Sequence, residues 1–210
     1  MILAIIGASG FVGRALVKAA LLKGHQVIAI SRSGVFEPHT GLKNMHVDVF
    51  SESSLKDVLI SSELVISAYN SGWNNPNLYE DYMNGSKHII NVCKEIKKHV
   101  IFVGGASSLL LPNGDPLFSQ IGSDLKEKVR GAFDLLHILR NDLSFKWTFI
   151  SPASEIIPSD QHDTYNIGGD YLLYGHNGKS QITVGDLALF CVTEALREEH
   201  IHKRLTVARV

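Results

Sequence analysis

The sequence predicts an α/β fold, a doubly wound parallel sheet with a small C-terminal lobe for substrate. Three observations carry this. Short β-rich runs alternate with helical patterns over the first 150 residues. Those runs are almost wholly apolar, as strands covered by helices on both faces are. A glycine-rich turn, GASGFVG at 7–13, joins the first strand to the first helix.

The expected strands are ILAII (2–6), QVIAI (26–30), MHVDV (45–49), LVISA (64–68), HVIFV (99–103) and KWTFI (146–150). In FVGRALVKAALLKG, Phe11, Ala15, Leu16, Ala19 and Leu22 recur at helical spacing and Gly24 is the stop. SDLKEKVRGAFDLLHILRN and VGDLALFCVTEALREEH are two further amphipathic helices, with Ser123 and Asp186 near their starts. After residue 150 the pattern loosens, and residues 151–182 read as loops and short strands forming the substrate lobe of a single domain, 1–210.

Composition narrows the function. A net charge of −1 without a Lys/Arg block argues against a nucleic-acid or anionic-membrane partner. No apolar run reaches the roughly 18 residues of a spanning helix, and MILAII is too short for a signal segment. Cys93 and Cys191 lie outside any CxxC spacing, so a reduced, cytoplasmic chain is expected. The partner expected is a small-molecule acceptor, and the assembly a monomer or homodimer.

The glycines at 7, 10 and 13 have the spacing of a dinucleotide-binding turn. The first makes the tight turn, the second admits a pyrophosphate, and the third lets helix and strand pack closely. The helix N-terminus then faces the phosphates with unpaired N–H groups and its positive dipole end. This makes the chain a Rossmann-type fold. An NAD site usually carries an acid about 20 residues beyond the glycines, yet no Asp or Glu occurs between Gly13 and Phe36. Arg32 stands there instead, between Ser31 and Ser33, suited to a 2′-phosphate. NADP(H) is therefore expected over NAD(H), with NAD(H) left open.

GASGFVG, SRS, VGGASSLL, WTFISPA and YNIGGDYLL, in this order, resemble the atypical short-chain dehydrogenase/reductases. Within them the resemblance is to the NADH-flavin reductase group, related to NmrA-like proteins and to biliverdin reductase B. It extends over essentially the whole chain. It implies Gly7, Ala8, Ser9, Gly10, Phe11 and Val12 around the pyrophosphate, Arg32 at the adenosine ribose, and Asp48 with Val49 beside the adenine. Ser67, Ala68 and Tyr69 would sit by the nicotinamide ribose. Gly104, Gly105 and Ala106 would lie under the nicotinamide, and Ser151, Pro152 and Ala153 would close over it. Ser108 matches the active-site serine of the family, with Ser107 beside it.

The departure is the missing YxxxK pair. Four residues after the six tyrosines come Trp73, Met83, Ser86, Gly169, Gly175 and Gly178, none of them lysine. Lys87 lies five after Tyr82, about 140° round a helix and so on the wrong side. Epimerases, dehydratases and alcohol dehydrogenases need a positioned acid/base, worth about 10²–10⁴-fold. Hydride transfer to a flavin, as substrate rather than bound prosthetic group, needs mainly that two rings be held face to face. Two alternatives stay open: an epimerase/dehydratase-like enzyme, and a non-catalytic protein that binds the dinucleotide as a redox signal.

The ten histidines are scattered, and the HIH at 200–202 reads as surface, so no metal is expected. His137 reads as a packing or surface residue within its helix. GASSL lacks the second glycine of a nucleophile elbow, since Leu109 stands there. Trp73, in the loop NSGWNNPN, is a candidate for lining the acceptor site or for a plain turn.

Overall fold

The computed structural model describes residues 1–210. Strands β1 (Ile2–Ile6), β2 (Gln26–Ser31), β3 (Leu42–His46), β4 (Leu64–Ser67), β5 (Val100–Val103) and β6 (Trp147–Pro152) alternate with helices α1 (Phe11–Leu22), α2 (Glu52–Leu59), α3 (Leu78–Glu95) and α4 (Ser123–Arg140). Three short strands follow, β7 (Glu155–Ile157), β8 (Tyr165–Gly168) and β9 (Gln181–Thr183), then α5 (Val184–Thr193) and β10 (Lys203–Arg209). The main sheet runs β3-β2-β1-β4-β5-β6-β10-β8 and is parallel except where β8 meets β10. Strand order reverses between β1 and β4, which places the ligand crevice beyond the C-terminal ends of these two strands.

Strand pleating divides the core in two. Leu3 and Ile5 point to the face covered by α1 and α5, with Leu16, Val17, Leu187 and Phe190. Ala4 and Ile6 point to the other, covered by α2, α3 and α4, with Leu55, Ile89, Ile90 and Leu135. This is the doubly wound arrangement that the apolar central strands require.

Most boundaries move by a residue or two from the sequence reading, and three differences are larger. β3 lies at Leu42–His46 rather than 45–49, because β2 ends at Ser31, which pairs with His46. Val47 makes one last bond to Ser31, and then Val47 and Val49 drop into the core beside α2. α5 ends at Thr193, where Ala195 N–H reaches back to the Phe190 carbonyl, and Glu198–His200 forms a separate 3₁₀ turn. The C-terminal lobe is shared out: β7 and β9 pair as a small parallel sheet, while β8 forms an edge of the main one. No helix is long and apolar enough to cross a membrane.

A candidate nicotinamide-cofactor site

The glycine turn is held from behind. The N–H groups of Gly7 and Ala8 both donate to the Ile30 carbonyl, at 3.0 and 3.1 Å, and Gly10 N–H donates to Gly7 O at 3.0 Å. Gly7 has φ +75°, and a Cβ there would lie 2.5 Å from the Ala68 carbonyl oxygen. A Cβ at Gly13 would lie 2.1 Å from Gly7 O, so the start of α1 packs directly on the turn. At Gly10 the only close atom would be Gly7 O, at 3.2 Å, so the far side is open to a ligand. Gly10 is the N-cap of α1 without a side-chain cap, and Phe11 and Val12 N–H have no partner within the chain. Bare helix donors beside a glycine that leaves room for a phosphate are what a pyrophosphate needs. The residues present therefore fit a dinucleotide.

Two adjoining clefts open from this turn. The first, about 620 Å³ with its open mouth, is lined by Gly7, Ser9 and Gly10 on one side and by Ser31, Arg32, Asp48, Val49 and Phe50 on the other. Arg32 is exposed and makes no ion pair or hydrogen bond within the chain, while Ser31 Oγ accepts from Gly34 N–H at 3.0 Å. Asp48 Oδ1 accepts from Phe50 N–H at 3.0 Å, which sets the half-exposed Phe50 ring at the mouth. These residues could hold an adenosine half. Phe50 was not picked out from sequence, since a single aromatic after a strand carries no periodic signal.

The second cleft, about 1880 Å³ with its open mouth, is lined by Gly10, Phe11, Val12, Ala68, Tyr69, Gly104, Gly105, Ala106, Ser107, Pro152 and Ala153. Its outer wall is Trp73, Leu78, Leu117, Ile121, Leu125 and Val129. Trp73 thus lines the cleft. Tyr69 OH donates to the Asp81 carbonyl at 3.0 Å, and its ring stacks at 6.1 Å on Tyr82. Burial, with Asp81 nearby, pushes the Tyr69 phenol up to about 12, and burial, with Tyr69 adding to it, pushes Tyr82 up as well. Both are poor proton donors at neutral pH. No histidine and no carboxylate lines this cleft.

The structure separates the two serines. Ser107 lines the cleft, its Oγ 3.5 Å from the Val129 carbonyl. Ser108 lies behind it, buried, with Oγ 3.4 Å from Ser151 Oγ and 3.4 Å from Arg204 Nη1. Arg204 in turn donates from Nε to Asp170 Oδ1 at 2.9 Å and from Nη2 to the same carboxylate, which Arg140 also meets at 2.6 Å. Burial draws the guanidinium below the ordinary arginine value. Burial also works against the Asp170 carboxylate, but the hydrogen bonds from Arg204 prevail and hold it below the ordinary value. Ser67, Ala8 and Ser151 are likewise buried behind the cleft walls, with Ser67 Oγ accepting from Tyr69 N–H at 3.4 Å. No group of three or more His, Cys, Asp or Glu side chains is placed to hold a metal ion.

The model of the NAD(P)H-binding family matches residues 7–198. YwnB of Bacillus subtilis (strain 168), an uncharacterised protein, is 27% identical over 224 residues, which cover 99% of this chain and 98% of YwnB. A solved structure from Streptococcus pneumoniae TIGR4, described as a candidate NADH-flavin reductase, has a TM-score of 0.89 at 28% identity and covers 100% of both chains. Another, from Bacteroides thetaiotaomicron and described as a candidate epimerase, has a TM-score of 0.87 at 29% identity, covering 100% of this chain and 97% of its own. The matched span takes in the glycine turn, Arg32, both serines and most of both cleft linings; the chain belongs to the NAD(P)H-binding family.

Proposed function

We propose that this protein is an NADPH-dependent reductase that passes hydride to a flavin or a similar planar aromatic acceptor. The observation that carries the reading is the second cleft: broad, mostly apolar, lined by no histidine and no carboxylate, with the phenols of Tyr69 and Tyr82 both raised by burial. The nicotinamide, when bound, supplies the hydride. The chain's own residues bind and orient. Gly104, Gly105 and Ala106 offer a flat backbone floor, Ser107 a hydroxyl beside it, and Pro152 and Ala153 the opposite wall. The apolar outer wall displaces water from an acceptor ring laid against it. The S. pneumoniae structure, described as a candidate NADH-flavin reductase, supports the same class.

The test is NADPH oxidation with FMN, FAD, riboflavin, a quinone and UDP-sugars side by side. Turnover is expected with the flavins, with a broad pH plateau about neutrality, because the lining holds no histidine or carboxylate to impose a limb there. Turnover of a UDP-sugar, or a steep pH dependence around 7, would return the proton-transferring enzymes to first place. Tight NADPH binding with no turnover on any acceptor would favour a redox sensor.

Cofactor preference rests on Arg32, exposed and unpaired in the first cleft. Arg32→Ala should weaken NADPH by about 1.5–3 kcal/mol, the range for a charge-assisted hydrogen bond, and leave NADH little changed. Calorimetric titration with each cofactor checks this, and equal loss on both would show that Arg32 does not read the 2′-phosphate.

A further inference from the structure

One charged side chain lines the second cleft, and it is Lys128. It stands on α4, where Leu125, Lys128, Val129 and Ala132 fall at helical spacing and all line the cleft. A lysine that only solvates a helix belongs on the polar face; this one interrupts the apolar stripe. Its neighbouring cations are engaged elsewhere. Lys126 lies 5.0 Å over the Phe118 ring, and Arg130 lies 4.9 Å over the Tyr79 ring while reaching Asp134 at 3.3 Å. Lys128 enters no ion pair. The carboxylate best placed for one, Asp124 a turn earlier, is bonded to Ser123 Oγ at 3.1 Å instead. Around it, Trp73, Leu125 and Phe11 keep half or more of their surface exposed, at 56, 50 and 54%.

We propose that Lys128 is a specificity-determining residue of the acceptor cleft, selecting acceptors whose planar apolar body carries one anionic group such as a phosphate, carboxylate or sulfonate. The proposal rests on the reductase reading for the identity of the acceptor body, and on this cleft's charge for the anion. An exposed aromatic and aliphatic rim gains by covering a flat apolar ring. A lone ammonium at that rim, with no carboxylate in the lining to compete for it, attracts an anion and orients the ring it is attached to. Because Lys128 is exposed, that attraction must weaken with salt.

The test compares FMN with riboflavin, which share a ring and differ by one phosphate. Protein saturated with NADP⁺, so that Arg32 is occupied, is titrated with each flavin and quenching of flavin fluorescence is read. FMN should bind about tenfold tighter than riboflavin, a difference of about 1.4 kcal/mol, and the gap should narrow as NaCl is raised. Lys128→Met should bring FMN down to the level of riboflavin without moving riboflavin, and Lys128→Arg should keep the preference. Equal loss of both flavins, loss of NADP⁺ affinity instead, or no preference in the wild type would each overturn the proposal, as would failure to bind either flavin. Turnover separates the two readings. FMN-selective binding without NADPH oxidation keeps the anion site and sinks the reductase; oxidation at equal kcat/KM with both flavins, without selective binding, does the reverse.

Discussion

Gly13→Ala should lower stability by about 3 kcal/mol and dinucleotide affinity with it. The new methyl carbon would sit 2.1 Å from Gly7 O and 2.8 Å from both Ala8 Cα and Ala8 O. All three are backbone atoms, so no side chain can rotate out of the way. Overpacking typically costs about 1–3 kcal/mol, and a rigid backbone obstacle puts this case at the upper end. The turn cannot retreat cheaply either, because the Gly7 and Ala8 N–H groups are fastened to the Ile30 carbonyl. Relief requires α1 to tilt away from β1, which moves the bare N–H groups of Phe11 and Val12 from where a pyrophosphate would lie. For a chain of this size the midpoint of thermal unfolding should fall by roughly 6–12 °C. Gly10→Ala is the contrast: its methyl meets only Gly7 O at 3.2 Å, so the fold should survive while the space for phosphate is reduced. Thermal melts and calorimetric titration of the two variants check the pair. An unchanged melting temperature for Gly13→Ala would show that the helix start has slack that this geometry denies.

The same turn shows why some of the molecule was legible in its sequence. Three glycines between an apolar run and a helical pattern form a local signal, set by backbone sterics within seven residues. Arg32, which lines the first cleft, stands out in the sequence because no acid occurs in its neighbourhood. β10 was not, because its buried stretch includes Arg204 and Thr206, which break the apolar run that marked the other strands. The arginine is tolerated inside because Asp170, 34 residues earlier, meets it, and no periodicity announces that meeting. Ser107 and Ser108 are adjacent in sequence and alike in chemistry. Which faces the cleft is decided by partners far along the chain, Ser151 and Arg204. Lys128 was hidden for a different reason. On a mostly polar helix a lysine is unremarkable until the register shows it sharing a face with Leu125 and Val129.

Asp170→Ala should cost about 3 kcal/mol, and the loss should fall mainly on the serine turn. Arg204 has a side chain only 1% exposed, and its guanidinium is satisfied chiefly by the Asp170 carboxylate and the Asp170 carbonyl, the latter at 3.0 Å. Removing one partner of a buried pair typically costs about 3–5 kcal/mol, because the remaining charge stays desolvated. Asp170 itself is half open to water, which keeps the figure at the lower end. Acid should act in the same direction. The folded state holds the Asp170 carboxyl below its ordinary value of 3.8, so its contribution is present above that value and is lost as the pH falls through the lower folded one. The wild type should therefore show a loss of stability below about pH 4 that is smaller in Asp170→Ala. A double variant, Asp170→Leu with Arg204→Met, removes both charges and should recover most of the stability of the single one. Recovery of stability without recovery of the proposed NADPH oxidation would place Arg204 as the residue that positions Ser108, and through it Ser107, at the floor of the cleft. A single variant as stable as the wild type would mean that water already screens the guanidinium, and that Ser107 and Ser108 are held by their other contacts, to the Val129 carbonyl and to Ser151.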